Sequence, residues 1–391
     1  MAFVEAYPTF IPDPHAAPYL LADLDTIRLR QAGVTADRTL KLTIEDTAGQ
    51  TYELTEVYTP SAEGVVEIND VRELLLPYFN LMDDQRLARF DETVLADYYL
   101  PVRLTIAEYV GSVLNWSDTY TVVYSGVCTP YLHTLSADLV QRFLQRESEC
   151  RVVPDQPCSV SFWRGEGDTS LLVKMLCFDQ GVPTLHTVED NVTAQHAMYC
   201  HHFTLASLAG LIDVDVKDVI YADFQIFDTS GEKPVLRDSV RYINDRRHRA
   251  QERTFAFIGP MGEPEYVAMT GREQREAEFE GTFLLEHNNY RKAYTTLRKI
   301  HTSYTGPLSE AGRDLVWDMA ASPWVYTIED GALVEVTITE VELTDSSPHD
   351  QPIGLSVKWR YTGEYRQRTF TRKPNTPHVG VFDKTFDETF E

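Results

Sequence analysis

Apolar and polar residues alternate through long stretches of this chain, and a period of two suits a β-strand while leaving a helix without a coherent apolar stripe. In LKLTIE (residues 40–45), Leu40, Leu42 and Ile44 share one face and Lys41, Thr43 and Glu45 the other, the pattern of a half-buried antiparallel strand. The run ends at Asp46-Thr47-Ala48-Gly49, where Gly49 suits the positive φ that closes a hairpin onto the next strand, Thr51 to Tyr58. With a strand at Ile27 to Gln31 before them and VVEI (65–68) after, these runs predict an antiparallel sandwich. Asn69 is a candidate N-cap for a brief helix, DVRELLLPYF, with Asp70 favourable at its positive end and Pro77 limiting it. Two further runs, YYLPVRLTIAEYV (98–110) and DTYTVVYSGV (118–127), are expected as strands that complete the sandwich near residue 126.

The middle segment carries a Pro/Cys-rich stretch, RVVPDQPCSVSFW, then an apolar strand, SLLVKMLCFD, and a turn at Gln180-Gly181. Thr204 opens a short helix, LASLAGLI, and the strand DVIYADFQIFD runs into Asp228-Thr229-Ser230-Gly231. This repeats the turn chemistry of Asp46 and hints at a duplicated sandwich plan. In the last third, Gly259, Gly262 and Gly271 punctuate strands, and LSEAGRDLVWDMAASP predicts the clearest helix, capped by Ser309 and ended by Pro323. Asp330-Gly331 is a strong hairpin signal. At 391 residues the chain exceeds what one core usually organises. The expected division is an N-terminal β-sandwich at 1–126, a middle β-rich domain at 127–250, a C-terminal β-sandwich with one helix at 251–370, and an extended arm at 371–391. The fold class is mainly β: multi-domain antiparallel β-sandwiches with a few short helices.

Charge narrows the partners. A formal net charge of -25 repels phosphate backbones and anionic membranes, so neither nucleic acid nor membrane is expected. No apolar run reaches the length of a membrane helix, and MAFVEAYPTF lacks the basic start and apolar stretch of a signal peptide, so synthesis in the cytoplasm is expected. The five cysteines, at 128, 150, 158, 177 and 200, are odd in number and form no C-x-x-C pair, which fits reduced thiols.

Candidate chemistry is sparse. His196, Cys200, His201 and His202 include an imidazole and thiolate set suited to zinc if they lie on a helix, but AMYCHHFTL reads equally as a strand that sends His201 and His202 to opposite faces. The D-T-A-G and D-T-S-G runs resemble the aspartate loops of pepsin-like proteases with one residue inserted before the glycine, and each sits where a turn is expected. No G-x-S-x-G, H-E-x-x-H or P-loop occurs. No cofactor and no enzymatic activity are therefore expected; a metal-assisted hydrolase built on the His196 to His202 run is the rival. Trp163, Trp317, Trp324 and Trp359 are expected in cores, although exposed ones would stack on sugars.

Two features point to subunit contacts. The stretch RDSVRYINDRRHRAQER concentrates basic charge, Arg246, Arg247 and Arg249 included, in an acidic chain, as clustered opposites do where surfaces must find their register. Phe382, Phe386 and Phe390 recur every fourth residue after prolines 374 and 377, and three such rings at a terminus call for a partner.

Four stretches, YTPSAEGVVEINDVRELLLPYF, RFLQRESECRVVPDQPCSVSFW, RTFAFIGPMGEPEYVAMTGREQREAEFE and LVWDMAASPWVYTIEDGALVEVTITEVELTD, together resemble a family of tail-associated structural proteins of tailed bacteriophages and prophages of gut anaerobes. The resemblance spans about residues 50 to 370; FIGPMGEPEY departs from the loop that family usually carries there. It implies a virion tail component near the tip or baseplate, with no catalytic residues to carry over. Its expected partners are copies of itself in a ring and neighbouring tail proteins, in assembly and host attachment. The rival of a different class is a glycan-binding receptor module on a phage tail or cell surface.

Overall fold

The computed structural model describes residues 5–8, 18–24, 26–30, 36–62, 64–81, 87, 94–110, 112–126, 141–145, 147–165, 167–179, 181–192, 194–245, 253–286, 289–306, 308–343 and 354–362. The architecture is mainly β, in sheets that pack face to face and are antiparallel except where two short strands, Tyr19–Leu20 and Glu149–Val152, each join an edge in parallel, with short helices between them.

The first pair of sheets follows from the alternation. β4 (Arg38–Glu45) buries Leu40, Leu42 and Ile44 and lies between β5 (Thr51–Tyr58) and β8 (Val102–Val110). β9 (Val113–Val123) and the short β2 (Tyr19–Leu20) complete the order β2-β9-β8-β4-β5. Against it sits a three-stranded sheet of β1 (Glu5–Pro8), β3 (Ile27–Arg30) and β6 (Val65–Ile68). Asp46 shapes the β4–β5 turn by accepting from the amides of Ala48 and Gln50 at 2.9 and 2.8 Å, and Gly49 takes φ +79°.

The helix after β6 starts differently from the sequence expectation. α1 (Val71–Leu75) is preceded by Asp70 in the left-handed region, and Asn69 does not cap it, because its Oδ1 accepts from the Thr26 hydroxyl at 3.2 Å. A 3-10 turn at Leu76–Phe79, with Pro77 in its first turn, continues it.

Pro101 produces a second departure. The run expected as one strand is two: β7 (Val94–Tyr99) pairs with β14 (Ala197–Phe203), whereas β8 pairs with β4 and β9. Proline has no N–H for a ladder, so the strand breaks there and the chain changes sheets. β7, β14 and β11 (Cys158–Arg164) form a three-stranded sheet. It faces the sheet of β10 (Glu149–Val152), β16 (Val235–Asn244), β15 (Val219–Asp228), β12 (Thr169–Asp179) and β13 (Val182–Val192). α2 (Leu205–Leu211) opens as expected at Thr204, whose hydroxyl accepts from the Ser207 amide at 2.9 Å in a reciprocal box.

Every residue of β11 and β14 is buried. One face joins a core with Phe203, Phe224 and Tyr242; on the other, Trp163 and Met198 meet Leu20 and Val123 of the first pair of sheets. Half-buried alternation therefore fails here, for a two-sided reason: this sheet has a core on each side.

The third unit is a seven-stranded sheet, β18 (Pro264–Met269), β17 (Arg253–Ile258), β21 (Val325–Glu329), β22 (Ala332–Leu343), β23 (Leu355–Tyr361), β20 (Asn289–Tyr304) and β19 (Glu273–Glu286), in that order. It curls until its two edge strands come together, because only residues 270–272 join β18 to β19; in that link the Gly271 amide donates to the Tyr304 carbonyl at 2.7 Å. Its concave side encloses Phe255, Phe257, Val357 and Trp359, and α3 (Glu310–Ala321), capped as expected by Ser309, adds Val316 and Met319. Ala256, Ile258 and Tyr266 belong instead to the first core, so cores shared between units tie the three together.

Two substitutions test this packing. Trp163→Ala empties the joint between sheets and should cost about 3–5 kcal/mol in urea unfolding. At Gly271 a Cβ would stand 2.6 Å from Tyr304 Cβ; Gly271→Ala should cost about 1–3 kcal/mol, read as a lower urea midpoint at unchanged slope.

Candidate functional site

The His/Cys run lies on a strand, and strand geometry divides it. Cys200 and His202, two residues apart on β14, share a face, with Sγ to Nε2 at 3.6 Å, while His201 takes the opposite face and His196 lies outside the strand, exposed. His202 Nδ1 meets the Tyr266 hydroxyl at 3.2 Å, and the Ser161 hydroxyl donates to Cys200 at 3.2 Å. All four of these side chains are buried. Among the described residues, no group of three or more His, Cys, Asp or Glu is placed to hold a metal ion. On the other face of β14, burial first, and then the neighbouring His202, lower the His201 pKa to about 3. Its imidazole is neutral at physiological pH.

A second cluster carries no sequence motif. At the curled end of the third unit, Arg253 bridges Glu273 at 3.0 Å, also pairs with Glu329, and lies over the Trp359 ring at 4.8 Å. His301 stacks on the same indole at 4.3 Å and holds Glu273 through Nδ1 at 3.0 Å; the Tyr361 hydroxyl donates to Glu329. Burial alone would raise the pKa of both carboxylates. For Glu273 it is outweighed by the His301 hydrogen bond and Arg253, and for Glu329 by Tyr361 and Arg253, so both lie below the usual range. With one guanidinium serving two carboxylates, and each carboxylate held by further donors, the cluster joins β17, β19, β20, β21 and β23. These residues lie far apart in the chain, and no local pattern in the stretches that hold them sets them side by side.

Between the middle and third units runs a groove of about 730 Å³. One wall is β10 with residues 156–159; the other is the edge strand β18 with the start of α3. Glu147, Glu149 and Glu265 give it an acidic lining, and Ser309 links its floor by donating to Glu147. Tyr242 donates to the Ser159 carbonyl at 2.8 Å. Cys150 also lines it, but burial, followed by Glu147, raises the pKa of its thiol well above the ordinary value, so it is protonated and a poor nucleophile. The groove suits holding a cationic or extended segment better than attacking a substrate.

The tryptophans divide. Trp163 and Trp359 are buried, Trp317 is exposed on α3, and Trp324 is half-buried beside a cleft of about 340 Å³ that Arg72 and Asp318 also line. Of the basic stretch, Arg237 pairs with Asp228, and Arg241 reaches Asp223 at 3.3 Å and lies over the Tyr221 ring. Arg246, Arg247, Arg249, Phe382, Phe386 and Phe390 lie outside the described residues. Both D-T-x-G runs are turns; the Ser230 hydroxyl, then Arg237, hold the Asp228 carboxyl at a pKa of about 2.

No protein-family model matches the chain, and no curated protein matches it. Among solved structures, similarity is found to a tetra-tandem repeat in the extending region of a large adhesion protein, at 10% identity and a TM-score of 0.21, covering 85% of this chain and 77% of that one. It is also found to the full extracellular region of plexin A4, at 9% identity and a TM-score of 0.17, covering 89% of this chain and 39% of that one.

His201 sets a pH expectation. Its folded pKa lies below the unfolded value near 6.5, so the stability it contributes is complete above pH 6.5 and is lost as pH falls toward 3. The thermal midpoint should fall between pH 6.5 and 4.5, before most carboxylates titrate, and His201→Gln should remove most of that slope. An unchanged slope would count against the burial described.

Proposed function

We propose that this chain is a non-enzymatic structural subunit of a bacteriophage tail, of the tip or baseplate type, used in several copies around the tail axis in assembly and host attachment. The observation that carries the reading is the strand pair β11 and β14, buried on both faces with a core on each side. Units tied in this way keep their relative positions under load, as a virion component must. The four stretches with a phage-tail resemblance also support it, since they contribute to the joint, the groove and the curled sheet.

Open strand edges add to the case. β5 ends its sheet, and Tyr52, Leu54 and Val57 along it are exposed. Such an edge is a template for another strand. The partners in this reading are further copies in a ring and adjacent tail proteins, with no nucleic acid and no membrane. The basic Arg246, Arg247 and Arg249 and the apolar Phe382, Phe386 and Phe390 serve as contacts between subunits.

Purified protein should sediment as a closed oligomer and show cyclic symmetry by negative-stain microscopy, and removal of residues 371–391 should shift it toward monomer. A strict monomer at high concentration, together with absence from virions, would overturn the proposal.

A second reading, glycan binding, is favoured by Trp324 beside its cleft with Arg72 and Asp318. A glycan array with the wild type and Trp324→Ala decides it: a hit lost in the variant supports the reading, and no hit ends it.

A further inference from the structure

β19 and β20 form a hairpin far longer than the sheet that anchors it. Their ladder runs from Glu273↔Ser303 to Glu286↔Asn289, yet β20 meets its other neighbour, β23, only over His301–Tyr304. At about 3.4 Å per residue, positions 289–300 carry a two-stranded ribbon roughly 40 Å past that contact. Among the described residues, nothing pairs with either outer edge of this ribbon. A two-stranded ribbon with both edges open is marginal in water, and its unpaired backbone groups are a site for further strands.

Charge is segregated between the two strands. From residue 276 to 286, β19 carries Glu276, Glu278, Glu280 and Glu286 and no basic residue; from 289 to 300, β20 carries Arg291, Lys292, Arg298 and Lys299 and no acidic one. In the backbone register Glu278 stands opposite Arg298, Glu276 opposite Ile300, Glu280 opposite Thr296, Glu286 opposite Asn289, Leu284 opposite Arg291 and Phe283 opposite Lys292. The strand along one edge of the ribbon is thus acidic in sequence and the strand along the other basic.

We propose that this ribbon is an assembly arm whose occupant is the same ribbon of a second copy, the acidic β19 edge of one chain pairing with the basic β20 edge of the next. The inference rests on the structural-subunit reading and deepens it. Copies related by rotation about an axis along the ribbon set each β20 antiparallel to the next β19, the geometry that such ladders require. The contact is heterologous, so it propagates from copy to copy and closes where the rotation closes. The sequence of β19 alternates acidic residues with Ala277, Phe279 and Gly281, as suits a sheet with one wet and one packed face.

Charge reversal tests the arm. One full-length variant carries Glu276→Lys, Glu278→Lys and Glu280→Lys; another carries Arg291→Glu, Lys292→Glu, Arg298→Glu and Lys299→Glu; a third carries all seven. Assembly is read by sedimentation at low salt, with near-UV circular dichroism confirming that the rest of the fold is kept. Each of the first two variants alone should need about tenfold or more protein to assemble, because like charges meet along a paired edge. Mixing them one to one should restore assembly, since the basic β19 of one then meets the acidic β20 of the other, and the sevenfold variant should assemble by itself. If the separate variants assemble like wild type, or if the sevenfold variant recovers while the mixture does not, the pairing between copies is wrong although the subunit reading stands. A wild-type chain that never assembles removes both.

Discussion

A sheet buried on both faces is the constraint on which the rest of this molecule depends. β11 and β14 have no solvent face: one side packs on the aromatic core of Phe203, Phe224 and Tyr242, the other on Leu20 and Val123. Apolar burial of this kind is worth about 25 cal/mol per Å², without regard to which unit supplies the surface. The joint is therefore stabilised by the same force that forms each core. Ala256, Ile258 and Tyr266 reinforce it by lending third-unit side chains to the first core.

Polar groups follow from that arrangement. A neutral His201 is tolerated in the interior because its charged form is disfavoured there, and the Cys200–His202 pair sits in the same dry surroundings. Where charge is kept, it is compensated: Arg38 meets Glu108, which is nearly inaccessible, and Arg253 answers two carboxylates at once. Removing one partner from such a pair would leave a buried charge without its counterion, which costs more than the pair contributes. These clusters hold strands together and account for the titratable groups they contain.

The periphery has the opposite character. Among the described residues, β5 and the β19–β20 ribbon leave backbone groups along open edges, and the exposed Val57, Val110, Val113 and Leu114 gather where β5, β4, β8 and β9 end together.

Much of the strand framework was legible locally, because alternation, turn residues and caps act over a few positions. Leu40, Leu42 and Ile44, Gly49, Thr204, Ser309 and Asp330-Gly331 all do what their neighbours dictate. The misreadings have nonlocal causes. Asn69 was lost as a cap to Thr26, forty-three residues away, and the run through Pro101 split because its halves found partners in different sheets. Of the candidate sites, the His201 and His202 opposition was visible from strand geometry; the groove and the Arg253 cluster were not. By itself, then, the sequence determined that this chain makes β-strands and where most of them turn, since side-chain period and backbone preference are properties of short stretches. Only the tertiary structure decided which strands share a sheet, which faces are dry and which charges meet, because pairing partners and burial depend on residues far apart in the chain.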